Sequence, residues 1–228
     1  MNGPRRQLVV LARWPAVGRC KRRLAADLHS SGRAAAVQRQ LTDHTLRTAA
    51  AACEATGAEL RLAVEGLGPR ARRRWGLALG RRGIAATLVG QGNGSLGSRM
   101  QRQWRLGFGA GAEQVVLIGS DLPALECADL ERAFTALERR PLVLGPASDG
   151  GYWLIGLNRS GFSGAGPWLM AGIPWGSDQV LASTLERAQR RQLSPALLRQ
   201  LSDLDTRADL EPWLRRRQAG SGGVMISR

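Results

Sequence analysis

The 228 residues suit one α/β domain, 43% of them are apolar, and the formal net charge is +15. Cys20, Cys53 and Cys127 are too few and too scattered for a disulfide framework or a cysteine zinc site, and no apolar run approaches the roughly 18 residues of a membrane span. With no signal-peptide pattern ahead of Leu8, a reducing cytoplasm is the expected compartment.

The charge is lopsided. Residues 1–110 hold 19 arginines and Lys21 against five acids, whereas residues 111–228 balance. A basic half can face nucleic acid, an acidic membrane surface or a phosphorylated small molecule. Aromatics make up only 5% of the chain, which gives no stacking surface for single-stranded nucleic acid.

In chain order, Leu8–Ala12 is a continuous apolar run and predicts a strand buried on both faces. The loop that follows holds Arg13, Gly18 and the only lysine of the chain, Lys21. Glycine lets backbone N–H groups approach an anion and the cations neutralise it, so this loop is a candidate diphosphate cradle. It is not a Walker A sequence, and a merely solvated Lys21 is the bland alternative. Residues 32–56 predict a helix ended by Gly57, residues 59–65 a strand, residues 69–82 a basic helix with a solvated arginine face, and residues 85–89 a strand. After the Gly90–Gly94 loop a helix is predicted from about Ser95 to Phe108. Its start, with Gly97 and Arg99, is either an anion site or a plain capped end. Residues 114–118 predict the second buried strand, ending at Gly119-Ser120-Asp121-Leu122-Pro123. A helix over 126–139, a strand over 142–145, a turn at Asp149-Gly150-Gly151, a strand over 152–156, a helix over 177–191 and a last helix from about Thr206 complete the domain. Residues 219–228 have flexible-linker composition.

Strands alternating with helices predict a mainly parallel central sheet with helices on both faces. Ligands of such sheets bind outside the carboxyl ends of the strands. Asp121, at one such end, is either a ligand for Mg²⁺ or Mn²⁺ or a helix cap. Asp149 is a second metal ligand, a general base, an acceptor-hydroxyl binder, or only part of an Asp-Gly turn. Trp175 either lines an acceptor pocket or belongs to the core.

Six segments together resemble the bacterial DUF2064 proteins, a glycosyltransferase-like branch of the GT-A superfamily with one group assigned to arsenosugar biosynthesis. They are LVVLARWPAVGRCKRRL (8–24), GSLGSRM (94–100), VVLIGSDLP (115–123), VLGPASDGGYWLIGL (143–157), IPWGSDQVL (173–181) and LSDLDTRADL (201–210). The resemblance implies a Rossmann-like GT-A domain over residues 1–218, with a nucleotide half at about 7–123 and an acceptor half at about 124–218. It implies metal-dependent sugar transfer from a nucleotide-diphosphate donor to a small acceptor. The related nucleotidyltransferases of molybdenum-cofactor and F420 synthesis leave nucleotidyl transfer as the alternative. By the same resemblance Asp121 stands where a metal-binding carboxylate stands, and Asp121 and Asp149 are the catalytic candidates. Arg13, Gly18 and Lys21 belong to the donor loop, and Asp149, Gly150 and Gly151 to the acceptor side; from the reading of their own loops, Gly97 and Arg99 are further donor-side candidates and Trp175 an acceptor-side one. Two departures are visible. Arg22 replaces the family's usual Thr, and no Asp-x-Asp stands at the strand end, where Ser120-Asp121-Leu-Pro supplies a single carboxylate.

Overall fold

The structure, a computed structural model, describes residues 5–221. Strand β1 (Arg6–Arg13) sends Leu8, Val10 and Ala12 into one apolar layer and Val9 into the opposite one. Successive strand side chains point to opposite faces, so burial on both sides explains the unbroken apolar run. β1 lies between β2 (Ala58–Glu65) and β4 (Gln114–Ile118), parallel to both. β3 (Thr87–Gly90) extends the sheet beyond β2. On the other side β6 (Tyr152–Asn158) runs antiparallel between β4 and β5 (Leu142–Pro146). β7 (Pro195–Leu197) pairs in parallel with β5. The order β3-β2-β1-β4-β6-β5-β7 is a mainly parallel α/β sheet, as predicted.

Helices cover both faces. α2 (Ser31–Thr56), α3 (Pro69–Gly80) and α5 (Cys127–Arg139) pack on one through Leu46, Leu79 and Phe134. α4 (Leu96–Gly109), α6 (Arg159–Leu169) and α7 (Val180–Arg190) pack on the other through Trp104, Ala165 and Ala188. A smaller cluster joins α1 (Arg22–Asp27), α2 and α8 (Arg207–Ser221) through Leu24, Leu41 and Trp213. Full burial of each large apolar side chain contributes roughly 1.5–3 kcal/mol. Among the described residues no helix is long and apolar enough to cross a membrane.

The structure adds α1, α6 and β7 to the predicted elements. α6 contains Gly161, Gly164 and Gly166, and glycine in a helix costs about 1 kcal/mol against alanine. Tertiary contacts offset this. Asn158 caps the helix by accepting from Gly161 N at 2.9 Å, and Phe162 stacks on Phe108 with ring centroids 4.4 Å apart. A Cβ at Gly161 would stand 2.1 Å from the Pro141 carbonyl oxygen, so glycine lets α6 sit this close. α8 runs to Ser221 and so takes in the first three residues, 219–221, of the expected tail. Residues 222–228 of that expected tail lie outside the described residues.

The chain leaves β1 toward β2 and leaves β4 toward β5 and β6. The connections diverge between β1 and β4, and this is where an open α/β sheet forms its ligand crevice.

Candidate active site

The carboxyl ends of β1 and β4 open on a cleft of about 530 Å³, lined by Arg13 at the end of β1, Cys20 and Lys21 after it, Ser120 and Asp121 after β4, Gln91 and Gly94 ahead of α4, Arg99 in its first turn, and Asp203 ahead of α8.

Lys21 is the N-cap residue of α1, with φ 48° and ψ 52°. This left-handed conformation costs a non-glycine residue roughly 1–2 kcal/mol, and the side chain it carries is only 2% exposed. Nζ donates to Asp121 Oδ2 at 2.7 Å and to Asp205 Oδ1 at 2.9 Å. Burial alone would lower the pKa of this ammonium, but the two carboxylates and their hydrogen bonds outweigh it and hold it above its ordinary value. Lys21 is therefore a fixed positive charge. Asp205 also pairs with Arg23. Burial would raise the Asp205 carboxyl, yet Lys21 and then Arg23 keep it below the usual range. On the far side of Asp121, Oδ1 accepts from Gln38 Nε2 at 2.6 Å and from Ser120 Oγ at 3.1 Å.

Asp203 lines the same cleft, half-buried. No hydrogen-bond donor to its carboxylate is found among the described residues. Burial, followed by the charges of Asp121, Asp149 and Asp205, pushes its carboxyl up to about 6. Of Asp203-Leu204-Asp205, Asp203 lines the cleft and Asp205 holds Lys21 beside it, and the Leu204 N–H donates to the Asp121 carbonyl at 3.2 Å. Sequence reasoning missed the role of these acids. The available signal was their spacing inside the 201–210 segment, just ahead of a helix. Among the described residues no three or more His, Cys, Asp or Glu side chains converge as a ready-made metal cage.

At the other end of the cleft Arg13 and Arg99 grip Glu65 from two sides, each at 2.9 Å. Burial would raise the Glu65 carboxyl, but hydrogen bonds from Arg99 and Arg13 hold it below its ordinary value. Gln91 donates to the carbonyls of Ala12 at 3.0 Å and Ala63 at 3.1 Å, which clips the loop after β3 onto β1 and β2.

Arg13, Lys21, Arg99 and Asp121 therefore share one cleft, while the other candidates lie outside its lining. Gly18 turns its loop at φ 75° and, with Arg22, borders a separate hollow near the start of α2. The Arg that replaces the family's Thr thus does not line the cleft. Gly97 is covered by Trp175, whose ring would be 2.8 Å from a Cβ there. Trp175 in turn meets the cleft residue Tyr152 edge to face at 6.4 Å. Asp149 is exposed and its Oδ1 accepts the Gly151 N–H at 2.9 Å, closing its own turn. Gly150, at φ 83°, seats the loop before α7, since a Cβ would stand 2.1 Å from the Asp178 carbonyl. The Gly151 N–H is spent on that same Asp149 turn.

A candidate nucleotide-diphospho-sugar transferase from Desulfovibrio desulfuricans G20 superposes with a TM-score of 0.78 at 26% identity, over 93% of this chain and 94% of that one. The 4-diphosphocytidyl-2C-methyl-D-erythritol synthase of Anaerococcus prevotii gives 0.58 at 11% identity, over 93% and 96% of the chains. The 2-C-methyl-D-erythritol 4-phosphate cytidylyltransferase of Thermus thermophilus gives 0.53 at 16%, over 94% and 99%. At such identities the last two speak to the fold alone. No protein of curated function matches the chain. Residues 45–177, more than half of the chain, match the family model described as an uncharacterized protein conserved in bacteria, and the chain belongs to that family, DUF2064.

Proposed function

We propose that the chain transfers a sugar from a nucleotide-diphosphate donor to a small acceptor, with Mg²⁺ or Mn²⁺ held by Asp121 and Asp203. The observation that carries this reading is the gathering of Asp121, Asp203 and Asp205 around one buried lysine at the crevice between β1 and β4. Three carboxylates face the charges of Lys21 and the exposed Arg23, so this end of the cleft is short of positive charge, while Arg13 and Arg99 face Glu65 at the other. Carboxylate oxygens are the preferred ligands of Mg²⁺ and Mn²⁺. Asp203, crowded by acids and without a donor among the described residues, suits that role. When bound, such an ion neutralises charge on the donor diphosphate and on the leaving nucleotide. Lys21, Arg13 and Arg99 would balance the remaining phosphate charge. Asp149, near enough to Asp203 to act on its charge, would orient or deprotonate the acceptor hydroxyl, beside a wall formed by Gly150, Gly151 and Trp175. The likeness to the Desulfovibrio protein supports the donor class.

The test is a melting-temperature panel with UDP-, GDP-, ADP- and dTDP-sugars, each with and without Mn²⁺. A ligand at 100 times its Kd stabilises by about 2.7 kcal/mol, or about 5–10 °C for a chain of this size. One nucleotide sugar is expected to give a shift of this order only with metal, and no shift from any of them overturns the reading. A second reading, nucleotidyl transfer onto a phosphorylated acceptor, would use the same cleft with pyrophosphate as the leaving group. Pyrophosphate release from nucleoside triphosphates would select it over sugar transfer.

A further inference from the structure

α2 buries a stripe of polar side chains on a face that is otherwise apolar. Gln38 is 3% exposed, Thr42 3% and Thr45 0%, beside the fully buried Leu41 and the buried Leu46. Their spacing puts them on one side of the helix, and that side meets the loop after β4. Thr45 Oγ1 donates to the Ser120 carbonyl at 3.4 Å. Gln38 Nε2 donates to Asp121 Oδ1 at 2.6 Å and to Thr42 Oγ1 at 3.2 Å. Burying an amide in a core is costly unless it is hydrogen-bonded, and leucine at position 38 would avoid that cost. The partner that Gln38 meets is the carboxylate at the centre of the cleft.

We propose that Gln38 is a positioning residue for Asp121, clamping Oδ1 so that Oδ2, which accepts from Lys21 Nζ, keeps its remaining lone pair turned to the cation. This rests on the reading that Asp121 holds the divalent ion. An amide suits the task because it donates without bringing a positive charge to compete with the metal. It also meets the oxygen opposite the one that Lys21 holds, so the carboxylate is fixed from both ends. Groups that orient metal-binding carboxylates in this way are worth 10–100-fold in metal affinity.

The experiment measures Mn²⁺ binding to the full chain, by the electron paramagnetic resonance signal of free Mn²⁺, for the wild type, Gln38→Met, Gln38→Asn and Asp121→Asn. Melting in EDTA is followed in parallel. Gln38→Met keeps the length and loses the donor, and is expected to weaken Mn²⁺ binding by about tenfold or more while melting within a few degrees of the wild type. Gln38→Asn keeps an amide one methylene short of Oδ1 and is expected to weaken binding too, which covers the case in which the Met variant does not fold. Wild-type Mn²⁺ affinity in either variant, with affinity lost in Asp121→Asn, overturns the role of Gln38 and leaves the metal reading intact. Unchanged affinity in Asp121→Asn overturns the metal reading, and the role of Gln38 with it. A Gln38→Met variant that melts much lower yet binds Mn²⁺ normally assigns Gln38 to core stability alone.

Discussion

Lys21 Nζ lies 2.7 Å from Asp121 Oδ2 across a sequence separation of 100 residues, and 2.9 Å from Asp205 Oδ1 across 184. The one lysine of an arginine-rich chain is therefore the ionic hub of three segments. A compact ammonium can donate to two carboxylates in a buried space, where the planar, longer guanidinium of arginine would need a wider slot.

Replacing Lys21 with Met is expected to leave Asp121 without a counter-ion and Asp205 with Arg23 alone. The cost of breaking a buried ion pair is about 3–5 kcal/mol. Both aspartates are about one third exposed, so solvent screening reduces the expected loss to roughly 2–3 kcal/mol. Urea unfolding in EDTA measures it. The variant should also lose nucleotide binding, and Mn²⁺ should stabilise it more than it stabilises the wild type, because the ion replaces the missing charge. A Lys21→Met protein as stable as the wild type in EDTA would return Lys21 to a passive role.

Asp203→Asn is expected to move stability in opposite directions with and without metal. In EDTA it relieves repulsion from Asp121, Asp149 and Asp205, and the melting temperature should rise by a few degrees, equivalent to about 1 kcal/mol. With Mn²⁺ the metal-induced shift should largely disappear. A variant that melts lower than the wild type in EDTA would show that the acid cluster carries no net strain.

Asp129 and Arg199 form an ion pair between the start of α5 and the segment after β7. Asp129, 1% exposed at the start of α5, takes two bonds from Arg199, at 2.6 and 2.7 Å, and Arg199 also donates to the Ala124 carbonyl at 3.0 Å. Burial would raise the Asp129 carboxyl, but the hydrogen bonds from Arg199 and the Glu126 backbone hold it below its ordinary value. A carboxyl held low in the folded state contributes stability above its unfolded value, about 3.9. It loses that contribution as pH falls through the lower folded value. The wild type should therefore lose stability steeply below about pH 4, and Asp129→Asn should show a shallower acid limb. Near neutral pH the substitution should cost about 1–3 kcal/mol, since Arg199 is partly exposed. Denaturation across pH 2–7 checks both, and parallel acid limbs would exclude Asp129 as the source.

Elements whose signal is local were legible in the sequence. β1 and β4 are buried on both faces, so their sequences are uninterrupted apolar runs. Asp121 is the third residue after the second of these, and the alternation of strands and helices assigns ligands to the carboxyl ends of such strands. Elements held by distant partners were not legible. α6 forms against helix propensity because Phe108 and Pro141 receive it, and three-residue β7 exists only through its pairing with β5.

By itself, then, the sequence determined the fold class, the family and the four residues Arg13, Lys21, Arg99 and Asp121 that line one cleft. Tertiary structure alone decided what surrounds them. It turned Lys21 inward onto Asp121 and Asp205, brought Asp203 to the same cleft from beyond β7, and set Gln38 behind Asp121. It also packed Trp175 over Gly97 and seated Gly150 against Asp178. The physical reason is that hydrophobic periodicity reports each element's own face, whereas an ion pair or a hydrogen bond between residues 83 to 184 positions apart exists only once those faces have packed.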